Sequence, residues 1–176
     1  MTQRWLWIGL LLIAAPLRAQ TSCSSNPGPC STAPGTVRIT ITIAPAFALS
    51  ISPATSTLAA PTPAMYDAGF AITNGPTATI RSNAPWTLAI SASSATWNAT
   101  NTGTEPARTN KPASDLQWAT SVAGPFTATT TTPASITSGS ATAGSAVALY
   151  YRTLYSWGLD TPGSYSLQVV FTITAP

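Results

Sequence analysis

Two ends of this chain alternate apolar and polar residues with period two. Near the start, "TVRITITI" puts Val37, Ile39, Ile41 and Ile43 on one face and Arg38, Thr40 and Thr42 on the other. Near the end, "SYSLQVVFTIT" puts Tyr165, Leu167, Val169, Phe171 and Ile173 on one face. Ser166, Gln168, Thr172 and Thr174 lie opposite, with Val170 the one apolar exception. Successive side chains of an extended strand point to opposite faces, so this alternation predicts half-buried β-strands. Between the ends, "NAPWTLAISAS" repeats the pattern with Trp86, Leu88 and Ile90. Further strands are predicted at 47–51, 66–73, 77–82, 116–121, 125–132 and 146–157. Apolar residues do not recur at helical spacing over a useful length. Many short alternating segments, separated by Pro, Gly and Asn turns, predict an all-β antiparallel sandwich, immunoglobulin-like, of about seven to nine strands.

The first of these segments follows a leader of different character. Residues 1–19 carry Arg4, an apolar run from Trp5 to Ala15 and small or permissive residues at Leu17 and Ala19. That run is short of the roughly 20 residues a membrane helix requires and matches a cleaved secretory signal. No later apolar stretch is long enough to span a bilayer, so the mature chain is expected to be secreted, extracellular or surface-associated. Residues 20–36 form a Ser/Pro/Gly-rich leader, and residues 37–176 are expected to form a single sandwich domain. In an exported chain, Cys23 and Cys30 flanking a Pro27-Gly28 turn predict a small disulfide loop, with intermolecular crosslinking as the alternative.

Removing the signal changes the charge balance. Of seven basic residues, Arg4 and Arg18 leave with it, so five basic side chains face four acidic ones and the net charge is +1. The basic residues are scattered singly, without the clustered patch that phosphate neutralisation requires, so nucleic-acid binding is not expected. Thr and Ser must then supply most of the polar surface, which suits extended backbone.

The chemical inventory argues against catalysis. Histidine is absent, which removes the commonest general base and metal ligand, and with it any Ser-His-Asp or Cys-His site. The single lysine, Lys111, stands beside Pro112 in a polar, turn-rich stretch, residues 98–115, that reads as an exposed loop. Four carboxylates remain, at 67, 105, 115 and 160; Asp67 and Asp160 fall at strand edges or turns, where Asp commonly bonds its own backbone. No metal site and no cofactor are expected.

Binding is the better prospect. Large aromatics fill sandwich cores and also make flat platforms for sugars or protein partners. Trp86 and Trp118 lie in alternating segments and are expected in the core. Trp97 borders a polar loop and is expected to be exposed. Trp157, beside Gly158, suits either place. Tyr150 and Tyr151 must point to opposite faces, so one is expected to face outward. The candidate binding residues are therefore Trp97, Trp157, Tyr150 and Tyr151.

The chain end also carries a resemblance. Tyr165, Val169, Phe171 and Ile173 are spaced like the distal motif Y-x-x-x-L-x-W-x-L of the W-x-L bacterial surface domains, and Trp86-Thr87-Leu88 is similar to the proximal motif. The distal tryptophan is replaced by Phe171, and the matching segments cover less than a third of the chain. Domains of that family are secreted β-rich modules attached non-covalently to the cell wall. The resemblance thus implies a surface module whose partner is wall polysaccharide or another surface protein. The alternative is a structural subunit of a fibre or coat, in which "TVRITITI" completes a neighbour's sheet by strand addition. Against that alternative, consecutive strands usually pair, which predicts pairing of this segment within its own sheet.

Overall fold

The alternating segments become strands of antiparallel sheets packed face to face, an all-β sandwich. The computed structural model describes residues 38–58 and 60–176. The predicted signal, the leader with Cys23 and Cys30, and Val37 lie outside the described residues. Thr42–Pro176 is one compact unit. Its strands are β1 (Phe47–Ser52), β2 (Phe70–Ser82), β3 (Trp86–Ala92), β4 (Asn98–Thr100) and β5 (Leu116–Ala119). They continue with β6 (Thr127–Ala128), β7 (Ala134–Gly139), β8 (Thr142–Leu154), β9 (Ser164–Ser166) and β10 (Val169–Thr174). One sheet has the order β1-β2-β8-β5-β6 and the other β10-β3-β7, while β4 and β9 form a small separate ribbon.

The core is built from the inward residues of both sheets. Ala78 and Ile80 of β2 meet Trp86 and Leu88 of β3 at one end. At the other, Ile90 of β3 packs with Trp97, Leu116, Trp118, Leu149 and Tyr151. Trp86 and Trp118 are buried as the alternation predicts. Trp86 also donates its indole N–H to the Ser140 carbonyl at 2.8 Å, which fixes the ring against Gly139, its cross-strand partner. A Cβ at position 139 would sit 2.7 Å from Trp86 Cζ2. Since the ring is hydrogen-bonded and enclosed, it cannot move away cheaply. Gly139→Ala is therefore expected to destabilise the fold by about 1–3 kcal/mol, read as a lowered denaturant midpoint.

Several expectations require correction. First, residues 38–46 form no strand, and Ile39, Ile41 and Ile43 are 89%, 81% and 73% exposed. The first strand, β1, begins only at Phe47, and its outer edge has no partner among the described residues.

Second, residues 66–68, predicted to open a strand, belong to a short helix, α1 (Pro63–Ala68). Thr62 caps its N-terminus, Pro63 stands in the first turn, and Gly69 closes it in the left-handed region at φ 77°. These are the residue types that start and stop helices.

Third, the predicted strands 66–73 and 77–82 merge beyond that helix into one long β2. Its register against β8 shifts between Asn74 and Thr77, where Gly75-Pro76 interrupts the ladder. Proline is tolerated within a sheet at such a bulge. Strand β7, whose only large apolar residue is Ile136, has no sequence counterpart in the prediction.

Fourth, the 98–115 stretch is not simply an exposed loop. Its main chain folds back through a Thr96–Pro112 bridge and a bond from the Trp97 amide to the Lys111 carbonyl. Lys111 and Ala113 are consequently buried.

Candidate functional site: an open groove between two edge strands

The two long sides of the sandwich differ. On one side the chain itself seals the gap between the sheets. The Thr129 amide donates to the Leu116 carbonyl of the large sheet, and the next residue's carbonyl accepts from Ala92 of the small one, at 2.9 and 2.8 Å. On the other side the edges are β1 and β10, each hydrogen-bonded to a single neighbour. Their inward residues, Phe47, Leu49 and Ile51 of β1 and Val169, Phe171 and Ile173 of β10, pack on the core yet remain only half-buried.

Between these strands lies a groove of about 1050 Å³, walled by Leu49 and Ile51, by Val169 and Phe171, and by Leu58 and Leu167. Trp97, Leu116 and Tyr151 line it more deeply. An edge strand presents unpaired N–H and C=O groups along one side. The groove, lined also by the loop that follows β1, thus offers a largely apolar trough beside two strand edges that have no sheet partner among the described residues, the combination that an added strand satisfies.

Tyr151 is buried there, and burial pushes its phenol up to about 12 from the usual 10.0. The unfolded chain therefore loses this proton first as pH rises, so the stability from neutral Tyr151 is present below pH 10 and lost between about 10 and 12. The expected loss is about 2–3 kcal/mol by pH 12. Tyr151→Phe should flatten that part of the alkaline stability curve in chemical denaturation.

One end of the groove is fixed by a buried charge network. Lys111, 3% exposed, donates from Nζ to Asp115 Oδ2 at 3.1 Å, to both carboxylate oxygens of Asp160 at 3.0 and 3.1 Å, and to the Leu154 carbonyl at 2.9 Å. Arg108 donates to Asp160 at 2.9 Å, and the Ser156 amide adds a bond at 2.9 Å. Burial alone would raise the Asp160 carboxyl. The Lys111 and Arg108 hydrogen bonds, the Lys111 charge and the Ser156 amide outweigh it, holding the carboxyl below the usual range. The only lysine of the chain is thus consumed in structure. Among the described residues no cluster of His, Cys, Asp or Glu is arranged to hold a metal.

The candidate binding residues do not form one site. Trp97 is 6% exposed, contrary to the expectation for a strand–loop border, and its indole N–H donates to the Pro112 carbonyl at 3.1 Å. Tyr151 faces the core and Tyr150, half-buried, the opposite face of β8. Trp157 is 62% exposed, stacks on Tyr66 with centroids 4.4 Å apart, and donates to Asp67 Oδ1 at 3.0 Å. The residues compared with the W-x-L motifs fall largely on two adjacent strands, with Leu88 opposite Ile173 and Ile90 opposite Phe171. Trp86 and Leu88 are buried, while Val169, Phe171 and Ile173 turn their half-buried sides inward from the β10 edge. Tyr165 lies in β9, lines the groove and donates its hydroxyl to the Thr161 carbonyl at 2.6 Å.

Leu49, Ile51, Leu58 and Leu116 were not among the candidates. The alternation of "FALSIS" marks an inward face, but only the strand order places that face at an uncovered edge.

Fold and groove together define an antiparallel β-sandwich left open along one long side. Neither the models of known protein families nor a search of curated proteins gives a match to this chain.

Proposed function

We propose that this protein is a secreted, non-enzymatic structural subunit of a surface fibre or coat, assembled by strand addition. The observation that carries this reading is the pairing of two features in one chain. An apolar groove lies open between β1 and β10, and a β-branched alternating segment, Ile39, Ile41 and Ile43, remains exposed. Each supplies what the other lacks: isoleucines at every second position fit an apolar trough, and their extended backbone offers partners to the edge strands. Exposed strands and apolar stripes are ordinarily suppressed because they promote association, so a chain that keeps both is suited to controlled association. Sedimentation velocity and negative-stain microscopy of the mature protein test this. Growing oligomers or filaments are expected as concentration rises; a strictly monomeric particle throughout overturns the reading.

A second reading, adhesion to wall polysaccharide, draws on Trp157. This exposed indole is held flat against Tyr66 and anchored by Asp67, and such a fixed aromatic face suits the C–H face of a sugar. It would also accord with the W-x-L resemblance. Cosedimentation with purified cell walls, lost in Trp157→Ala, supports it; equal cosedimentation of the two proteins counts against it.

A further inference from the structure

From the way the chain enters β1, we infer that the groove is filled by a second copy of this chain and never by its own segment, and that Asn83 is the positioning residue that enforces this. The inference rests on the strand-addition reading above and deepens it by naming the partner.

The ladder between β1 and β2 pairs Phe47 with Ser82. It continues one step further, where the Asn83 amide donates to the Ala46 carbonyl at 3.3 Å. The Asn83 side chain then prolongs it. Its Oδ1 accepts from the Ala46 amide at 2.7 Å, and its Nδ2 donates to the Ala44 carbonyl at 3.0 Å. Three hydrogen bonds from one residue hold Ala44–Ala46 as an extension of β1 beyond the end of its sheet partner.

Two covalent limits follow. To lie beside β1 in the antiparallel sense, the segment before Ala44 would need a hairpin turn within Ala44-Pro45-Ala46. Three-residue hairpins rely on a left-handed residue, usually Gly. This stretch has no glycine, no described non-glycine residue adopts positive φ, and Pro45 biases Ala44 towards extended backbone. To lie beside β1 in the parallel sense needs a crossover of a dozen or more residues, and only three are present. The segment therefore cannot add to the β1 edge of its own molecule and reaches such an edge only in another. A donor at one place and an acceptor at another on the same chain give a heterologous, head-to-tail contact, which propagates as a filament where it does not close into a ring.

Two experiments test this, each with wild-type protein as the reference. In the first, full-length mature Ile39→Asp/Ile41→Asp/Ile43→Asp protein, which keeps its groove but has no usable donor, is mixed with wild type before assembly. It is expected to act as a chain terminator and to shorten filaments in proportion to its mole fraction. Filament lengths that ignore it overturn the inference of a second-copy donor.

In the second, Asn83→Ala/Pro45→Gly releases the clamp and permits a turn. This variant is expected to yield a large fraction of self-closed monomers at concentrations where wild type is polymeric. Their isoleucine segment should be protected in hydrogen exchange. Wild-type polymerisation by a folded double variant overturns the role of Asn83 while leaving the strand-addition reading standing. If the double variant does not fold, Asn83→Ser/Pro45→Gly, whose short hydroxyl cannot hold both Ala44 and Ala46, is read in the same way. A wild type that is monomeric, yet loses thermal stability on Ile41→Asp, overturns the inference in the other direction, because its own segment then fills its groove. A monomeric wild type indifferent to Ile41→Asp defeats the strand-addition reading itself.

Discussion

Replacing Ile39, Ile41 and Ile43 together with aspartate is expected to abolish assembly while leaving the sandwich folded. All three side chains are exposed in the single chain, so the substitution removes no core contact and should leave the thermal midpoint of the isolated subunit nearly unchanged. In the assembled state each isoleucine would be buried, a gain of about 1.5–3 kcal/mol per side chain. Ordering and immobilisation consume part of that gain. Losing even about 4 kcal/mol weakens each contact about a thousandfold, and burying carboxylates in an apolar trough adds a desolvation cost. The period of two supplies the control. Thr40 and Thr42 lie on the opposite face of the segment, so Thr40→Asp is expected to assemble nearly as wild type does. Sedimentation velocity at matched concentration distinguishes the three proteins. Equal loss of assembly in Thr40→Asp and the triple variant would mean that charge, not the apolar face, sets the association.

Lys111→Ala is expected to be among the most destabilising single substitutions in the chain. The Lys111 ammonium and the Asp160 carboxylate are both nearly inaccessible, their side chains 4% and 5% exposed. Removing one partner leaves a buried charge without compensation, which costs about 3–5 kcal/mol. Asp115 and the Leu154 carbonyl lose their bonds at the same time. Lys111→Met/Asp160→Asn should lose less than Lys111→Ala alone, because no unpaired carboxylate remains at 160.

The same network sets the acid limit. The Asp160 carboxyl is held below its ordinary value, so the folded chain takes up this proton later than the unfolded one. Its contribution to stability is fully present above about pH 4 and is lost as pH falls through the lowered folded value. Urea midpoints between pH 7 and 2 should therefore fall less steeply in Asp160→Asn than in wild type.

Much of the sandwich was legible in the sequence because period two is a local signal. β1 and β3 stand where alternation places them, whereas the single strand predicted over 164–174 divides into β9, paired with β4, and β10, paired with β3. The burial of Trp86, Leu88 and Ile90 follows from one face of seven residues. The failures have physical causes. Tyr66, Ala68, Phe70 and Ile72 alternate as a strand would, yet Pro63–Ala68 is helical. At six residues, that helix is too short for a 3.6-residue period to show, and only its Thr-Pro start and Gly stop announce it. Lys111 and Trp97 looked like loop residues because their neighbours are polar. They are buried because the chain turns back at Pro112, which brings Lys111 against Leu154 and Asp160 and seats Trp97 beside Ile90 and Leu149, positions that no local pattern relates.

The groove was the least legible feature. Both of its walls were predicted as strands, but whether two inward faces are covered depends on strand order, which the sequence alone does not display. Asn83 shows the same limit on a smaller scale. In "RSNAP" it reads as an ordinary turn residue, and its hold on Ala44 and Ala46, 39 and 37 residues earlier, appears only in three dimensions.

The measurement that reaches the central claim most directly is backbone hydrogen exchange, read by mass spectrometry, across Arg38–Ile43 in assembled protein. Strand addition predicts that these amides exchange at the free-chain rate in dilute monomer. In the assembly they should become strongly protected, together with new protection along the outer edges of β1 and β10. Assemblies in which Arg38–Ile43 exchanges as fast as in the monomer would contradict the account.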